Sequence, residues 1–265
     1  MVEDATSAIV LRRVSYGDYD VIVTLLTENG GKRSVMAKNA KKSVKRFRGV
    51  LELFSNITAV IREGRGMPIL AEARLEEPYA GIRTDYRKTA YAAYWAELLY
   101  GWLEENKGEK KLFELMDYSL GALDSDALPL GTASILFQMK LAVESGFAPL
   151  LSGCCECGLP ASAMGGTLLT FAPERGGLVC SRCSNAFTGR SLTLCRGTIK
   201  LLAWLGENDL AKAARVSLPA YAIREGLQFM EIFIPHCLGR EPKSLRVLRA
   251  IRDSVGRRAA VRVLP

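Results

Sequence analysis

The chain has 265 residues, 49% of them hydrophobic and 24% charged, which excludes a disordered polymer and supplies a core for one large or two to three small domains. Its 36 basic residues outweigh 28 acidic ones, for a net charge of +8, so the partner class indicated is a polyanion, nucleic acid first and an anionic membrane second. Glu97 interrupts the nearest approach to a membrane span, and the N-terminus is acidic where a secretion signal is basic, so the expectation is a soluble, cytoplasmic protein without a membrane partner.

Residues 7–75 read as five strands. Residues 7–16 and 20–27 are rich in Ile, Val, Leu and Thr, with Gly17 and Asp18 marking a turn between them. Asn29-Gly30-Gly31 is a hairpin signal, because Asn and Gly both accept positive φ. The third strand begins at Lys32 and passes into a basic loop near Lys38. The fourth alternates Leu51, Leu53, Ile57, Ala59 and Ile61 on one face with Glu52, Asn56, Thr58 and Arg62 on the other. Ile69, Ala71, Ala73 and Leu75 alternate in the fifth. Five strands with no helix of crossover length between them predict a small closed barrel of OB type.

The positive excess is local. Residues 32–48 carry Lys32, Arg33, Lys38, Lys41, Lys42, Lys45, Arg46 and Arg48 with no acid, and outside them 28 basic residues balance 28 acidic ones. Concentrated charge of this kind suits phosphate backbones. A solvated, disordered run of like charge is the competing reading. Against it stand the interleaved apolar residues Val35, Met36, Val44 and Phe47 and the strand-like sequence on both sides. Phe47 is a candidate for stacking on a base and equally for anchoring the loop.

After Pro78 the period shifts to about 3.6. Thr84 or Asp85 can cap a helix in which Tyr91, Trp95, Leu98, Leu99 and Trp102 share a face, a stripe that fits a core better than a base-stacking platform. Further helices are expected at 110–123, 131–146, 199–205, 219–238 and 244–251. Residues 240–262 hold eight basic and two acidic side chains, among them Arg246, Arg249, Arg252, Arg257, Arg258 and Arg262. They read equally as a second phosphate contact and as a solvated tail.

Cys154-x-x-Cys157 followed by Gly158, and Cys180-x-x-Cys183, lie 22 residues apart. Two residues between ligands let both thiolates of a pair reach one tetrahedral ion at ~2.3 Å, so the four predict a zinc ribbon. Two redox pairs or inert thiols are the alternative. Four cysteines close the coordination sphere, so the Zn2+ is expected to be structural. Cys155 should point away, and Cys195 and Cys237 are expected to be buried thiols. The single histidine, His236, is expected in the core or at a helix end.

No phosphate-binding G-x-x-x-x-G-K-[ST] loop occurs, nothing near His236 suggests a nucleophile, and residues 31–51 contain no carboxylates for a metal-dependent nuclease. The chain is not expected to be an enzyme.

A basic barrel followed by helices with an inserted four-cysteine ribbon resembles the RecO family of recombination mediator proteins. The phrases that carry the resemblance are Ala8-Ile9-Val10-Leu11, Tyr16-Gly17-Asp18, the 27–32 turn, Ala37-Lys38, Lys41-Lys42, Arg46-Phe47-Arg48-Gly49, residues 94–98, the cysteine quartet with Gly176-Gly177, and residues 243–245. Asn39 stands where the family usually has glycine, and Lys45 where serine is common.

The resemblance implies a bacterial, nucleoid-associated DNA-repair protein. Such a protein would bind single- and double-stranded DNA, anneal complementary strands without ATP, and work with RecR to load recombinase on strands coated by single-strand-binding protein, whose C-terminal tail would be a further partner. The fold class expected is α+β and multidomain. Residues 1–80 would form the OB-fold nucleic-acid-binding domain, 81–150 and 191–265 the two parts of a helical domain, and 151–190 the inserted zinc module. The alternative function is a zinc-ribbon RNA-binding or scaffold protein of the transcription or translation machinery.

Overall fold

A computed structural model describes residues 3–43, 46–64, 66–185 and 189–261. The alternating apolar residues of the N-terminal part close into a barrel with strand order β1-β2-β3-β5-β4. Strand β1 (Glu3–Tyr16) is long enough to serve two neighbours. Its first half pairs antiparallel with β4 (Asn56–Arg62), and its second half pairs with β2 (Asp20–Thr27), through an irregularity between Val10 and Arg12. β2 pairs with β3 (Gly31–Ala37), β4 pairs with β5 (Ile69–Glu77), and the parallel step Met36↔Ile69 closes the ring.

The inward residues of successive strands, including Val10, Val23, Leu25, Val35, Ile57 and Ile61, form one buried cluster. Burying each contributes on the order of 1.5–3 kcal/mol. The fourth strand begins later than its alternation suggests. Leu51 is in the barrel core, but residues 51–55 form a turn in which Phe54 takes φ 73° and donates its N–H to the Val10 carbonyl at 2.9 Å. Val10 returns a bond to the Ser55 carbonyl at 3.1 Å, so this turn packs into the irregularity of β1 instead of prolonging β4.

The chain divides into two compact units, Met1–Ala127 with Lys243–Pro265, and Leu128–Pro242. The first contains the barrel, α1 (Ala80–Thr84), α2 (Tyr86–Trp102), α3 (Lys110–Asp124) and α9 (Lys243–Val261). Asp85 caps α2, its carboxylate accepting from the Arg87 N–H at 2.7 Å. Tyr91, Trp95, Leu98 and Leu99 are buried, so the aromatic stripe is core. Glu97 accepts from the backbone N–H groups of Lys243 and Ser244 at 3.0 and 2.8 Å, which fastens the start of α9 to α2.

In the second unit, α4 (Leu130–Glu144) is apolar nearly all round and packs against α6 (Arg196–Glu207) and α8 (Ala220–Leu238). A four-stranded sheet of order β6-β8-β7-β9 accompanies them, made of β6 (Leu150–Cys154), β7 (Leu168–Ala172), β8 (Gly177–Val179) and β9 (Leu192–Cys195). Phe171 of β7 meets Phe229 and Phe233 of α8 edge-on, with ring centres 4.8 and 5.5 Å away. The short helices α5 (Ser181–Ser184) and α7 (Leu210–Ala213) complete this unit.

Candidate nucleic-acid interface and metal centre

The basic stretch divides where β3 ends. Lys32 and Lys38 are six residues apart on an extended chain, so they lie about 20 Å apart at opposite ends of the strand. At the first end the cations are engaged. Lys32 Nζ donates to the Tyr100 carbonyl at 2.8 Å and lies 4.9 Å from that ring's centre, and Arg33 pairs with Glu63. The Ser34 hydroxyl donates to Glu105 at 2.8 Å, so this half of the outer face of β3 is covered by the segment that follows α2.

At the other end the chain turns back over the barrel. Asn39 takes φ 56°, the left-handed conformation expected for a residue in place of glycine, and accepts from the N–H groups of Lys42 and Ser43 at 3.1 and 3.0 Å. Its own N–H donates to Asp20 at 2.7 Å, and the Lys41 N–H donates to the Tyr19 carbonyl at 3.0 Å. Arg46 reaches the Lys38 carbonyl at 3.3 Å and the Ala71 carbonyl at 3.5 Å. The described part of the loop is therefore folded onto the barrel.

Lys38, Lys41, Lys42, Arg46 and Arg48 are exposed, and none has a carboxylate at ion-pair distance among the described residues. Elsewhere on the barrel Arg13 pairs with Glu52 at 2.8 Å and Arg74 with Glu76 at 2.8 Å, while Arg12 donates to the Tyr100 hydroxyl at 2.9 Å. Lys45 lies outside the described residues.

Phe47 is 4% exposed and belongs to the barrel core. Of the two sequence readings this burial favours the anchor over the stacking residue, with the Arg46 guanidinium 4.9 Å from the ring centre. An aromatic residue not singled out from sequence does border the loop: Tyr19 is exposed on the β1–β2 turn, with Lys42 Nζ 3.4 Å from the centre of its ring, and Tyr16 is exposed at the end of β1. The signal was a tyrosine on each side of Gly17-Asp18, in a turn that the barrel topology brings beside the end of β3.

In the second unit, β6 and β8 are parallel neighbours that end at Cys154 and Val179, so the two cysteine pairs leave the sheet side by side. Gly177 permits this approach, since a Cβ there would lie 2.8 Å from that of Cys155. The first knuckle closes with the Gly158 N–H on the Cys154 carbonyl at 2.9 Å, Gly158 taking φ 73°. The second closes with the Cys183 N–H on the Cys180 carbonyl at 3.0 Å.

The four sulfurs of Cys154, Cys157, Cys180 and Cys183 lie within 4.8 Å of one another. The Cys157–Cys180 separation is 3.7 Å, against an edge of about 3.8 Å for a tetrahedron with metal–sulfur bonds of about 2.3 Å. The residues fit one metal ion. Cys155 is outside the cluster, and Cys195 and Cys237 are half-buried where full burial was expected. His236 is exposed near the end of α8.

Burial works against ionising Cys154, but the N–H groups of Cys180, Cys157 and Glu156 outweigh it and hold this thiol down to about 6. The adjoining Cys180 side chain, then burial, then Cys157 and Cys154 push Cys183 up to about 12. Four sulfurs this close cannot all be anionic alone, and a divalent cation removes that repulsion.

The N-terminal residues 1–79 match the family model "Recombination protein O N terminal", and residues 83–246 match "Recombination protein O C terminal". The chain belongs to the RecO family. It is 40% identical over 250 residues to the DNA repair protein RecO of Desulfatibacillum aliphaticivorans, covering 93% of this chain and 96% of that one. The RecO of Desulfosudis oleivorans is 39% identical over 254 residues, with 94% and 98% covered, and that of Anaeromyxobacter dehalogenans 35% over 252 residues, with 94% and 97% covered. As a RecO-family protein the chain has a role in DNA repair. Among its described residues no helix is long and apolar enough to cross a membrane.

Proposed function

We propose that this RecO-family chain is a non-catalytic mediator that binds single- and double-stranded DNA through the loop after β3. Lys38, Lys41, Lys42, Arg46 and Arg48, with Lys45 from the sequence, contact phosphates. The observation that carries this reading is the clustering of five exposed cations without carboxylate partners, where Arg13 and Arg74 elsewhere on the barrel are paired with Glu52 and Glu76. Such contacts release counterions and hold strands without reading bases. Screening two backbones together lowers their repulsion, so complementary strands anneal without nucleotide hydrolysis. Lys32 and Arg33 contribute less to DNA, because Tyr100 and Glu63 already hold them.

In this reading the metal is Zn2+ and its role is structural, supported by four sulfur ligands that leave no position for water. RecR and the tail of single-strand-binding protein are the partners in loading recombinase on coated strands, and the site of action is the nucleoid in the bacterial cytoplasm.

Strand annealing tests the proposal, run with naked DNA and with strands coated by single-strand-binding protein, with and without RecR. Wild-type protein should anneal both. Lys41→Glu/Lys42→Glu/Arg48→Glu should lose annealing while retaining its thermal transition; undiminished annealing by that variant overturns the reading. Competition with a matched RNA strand separates it from an RNA-binding role.

A further inference from the structure

All seven cysteines lie in the second compact unit, and none in the unit that contains the barrel. Within the quartet the burial is unequal. Cys154 and Cys180 are 2% and 4% exposed, whereas Cys183 is half-buried and Cys157 is exposed. The exposed ligand has two neighbours that matter for its chemistry. The Arg182 guanidinium donates a hydrogen bond to the Cys157 sulfur, and the Cys180 sulfur lies 3.7 Å from it.

The buried partner is also within reach of small molecules. A cavity of about 330 Å³ opens beside Cys180, lined also by Leu159, Thr170, Ser181 and Arg182. Cysteines that react with oxidants combine thiolate character, exposure, a neighbouring cation and a second cysteine within reach. Cys157 has all four once the quartet holds a cation.

We propose that Cys157 and Cys180 form a peroxide-sensitive pair, whose oxidation to a disulfide dismantles the metal centre. The inference rests on the reading of the quartet as a zinc site. The Cys157 thiolate attacks one oxygen of hydrogen peroxide, the O–O bond breaks, and hydroxide leaves and takes a proton from solvent. Cys157 is then a sulfenic acid. The Cys180 thiolate attacks that sulfur, the S–O bond breaks, a second hydroxide leaves and is protonated, and the S–S bond forms. Two electrons pass from the two sulfurs to one peroxide, which ends as two waters. Arg182 stands where its charge stabilises the first leaving hydroxide. Cys154 and Cys183 remain as two thiolates, too few to close a coordination sphere.

The test treats the full chain, reduced and zinc-loaded, with graded hydrogen peroxide and follows free zinc with a chromogenic chelator. One equivalent of peroxide should release one equivalent of zinc, and peptide mapping should find Cys157 linked to Cys180. A dithiol reductant with added zinc should restore the original content. The thermal transition of the module containing β6–β9 should be lost on oxidation, while binding of a labelled single strand persists, because the barrel's unit holds no cysteine. Arg182→Gln should slow zinc release with zinc content and melting in reducing buffer unchanged, and Cys155→Ser should release zinc as wild type.

Zinc retained under excess peroxide overturns the inference and leaves the metal reading standing. Zinc released with a different disulfide, or only with irreversible sulfinic acids, also overturns it. Release from Arg182→Gln at the wild-type rate removes the arginine from the reaction. Protein that carries no zinc before any oxidant is added fails the metal reading itself, and this inference with it.

Discussion

Lys32 Nζ donates to the carbonyl oxygen of Tyr100 at 2.8 Å, tying the start of β3 to the last turns of α2. A lysine in a cationic run thereby acts as a brace. Lys32→Ala should lower stability by about 1.5–3 kcal/mol, the value of a hydrogen bond from a charged group, measured by urea denaturation. The salt dependence of DNA binding should match wild type.

Phe47 makes the complementary case. Phe47→Ala should destabilise the barrel by about 3–5 kcal/mol, because it opens a cavity in the core. Phe47→Leu keeps most of the volume and should retain both fold and DNA affinity in thermal melts and anisotropy titrations. Affinity lost in a well-folded Phe47→Leu protein would show instead that the ring itself contacts a base.

The quartet predicts one equivalent of zinc in freshly purified, reduced protein, read by elemental mass spectrometry. Apparent binding of about 10–16 kcal/mol in model zinc peptides is comparable to a domain's whole stability of about 5–15 kcal/mol. Chelation or Cys183→Ser should therefore unfold at least the module containing β6–β9, seen as a lost thermal transition. Metal-free protein with an unchanged melt contradicts the assignment.

Asp85 predicts an acid dependence. Its carboxyl is held below the usual range by the Arg87 side chain, with further help from backbone N–H groups at the start of α2. A lowered folded-state pKa gives stability that is present above the unfolded value of ~3.9 and is lost as pH falls through the folded value. Asp85→Ala should cost about 0.5–2 kcal/mol at neutral pH, and the gap from wild type should close in melts run below about pH 4.

The barrel was legible because its strands are half-buried, so alternation marks them directly. The helical stripe and the quartet were legible for similar reasons, since 3.6-residue spacing and paired cysteines are local patterns. The start of β4 was not. Leu51 has the right face for a strand, but its burial comes from a turn fitted to β1, a long-range contact without a period.

The division of the basic stretch was hidden for the same reason. Lys32 and Lys41 look alike in sequence and each donates to a backbone carbonyl, but Lys32 is half-buried against Tyr100 while Lys41 is exposed on the loop. Phe47 is buried and Tyr16 and Tyr19 are exposed, a difference that shows only once the barrel has closed. The boundaries at 80, 150 and 190 follow changes of period, whereas the two compact units follow packing, which brings α9 to α2.

The central claim, that the loop after β3 grips DNA through its phosphates, is tested most directly by the salt dependence of single-strand binding. Six contacts at about −0.7 each predict a slope of log K against log salt of roughly −4 for wild-type protein. Reversing Lys38, Lys41, Lys42 and Arg48 to Glu removes four of the six contacts and should flatten that slope to roughly −1.4 or less, weakening all sequences alike. A variant that folds, binds as tightly as wild type and keeps the full slope would place the DNA elsewhere on the protein.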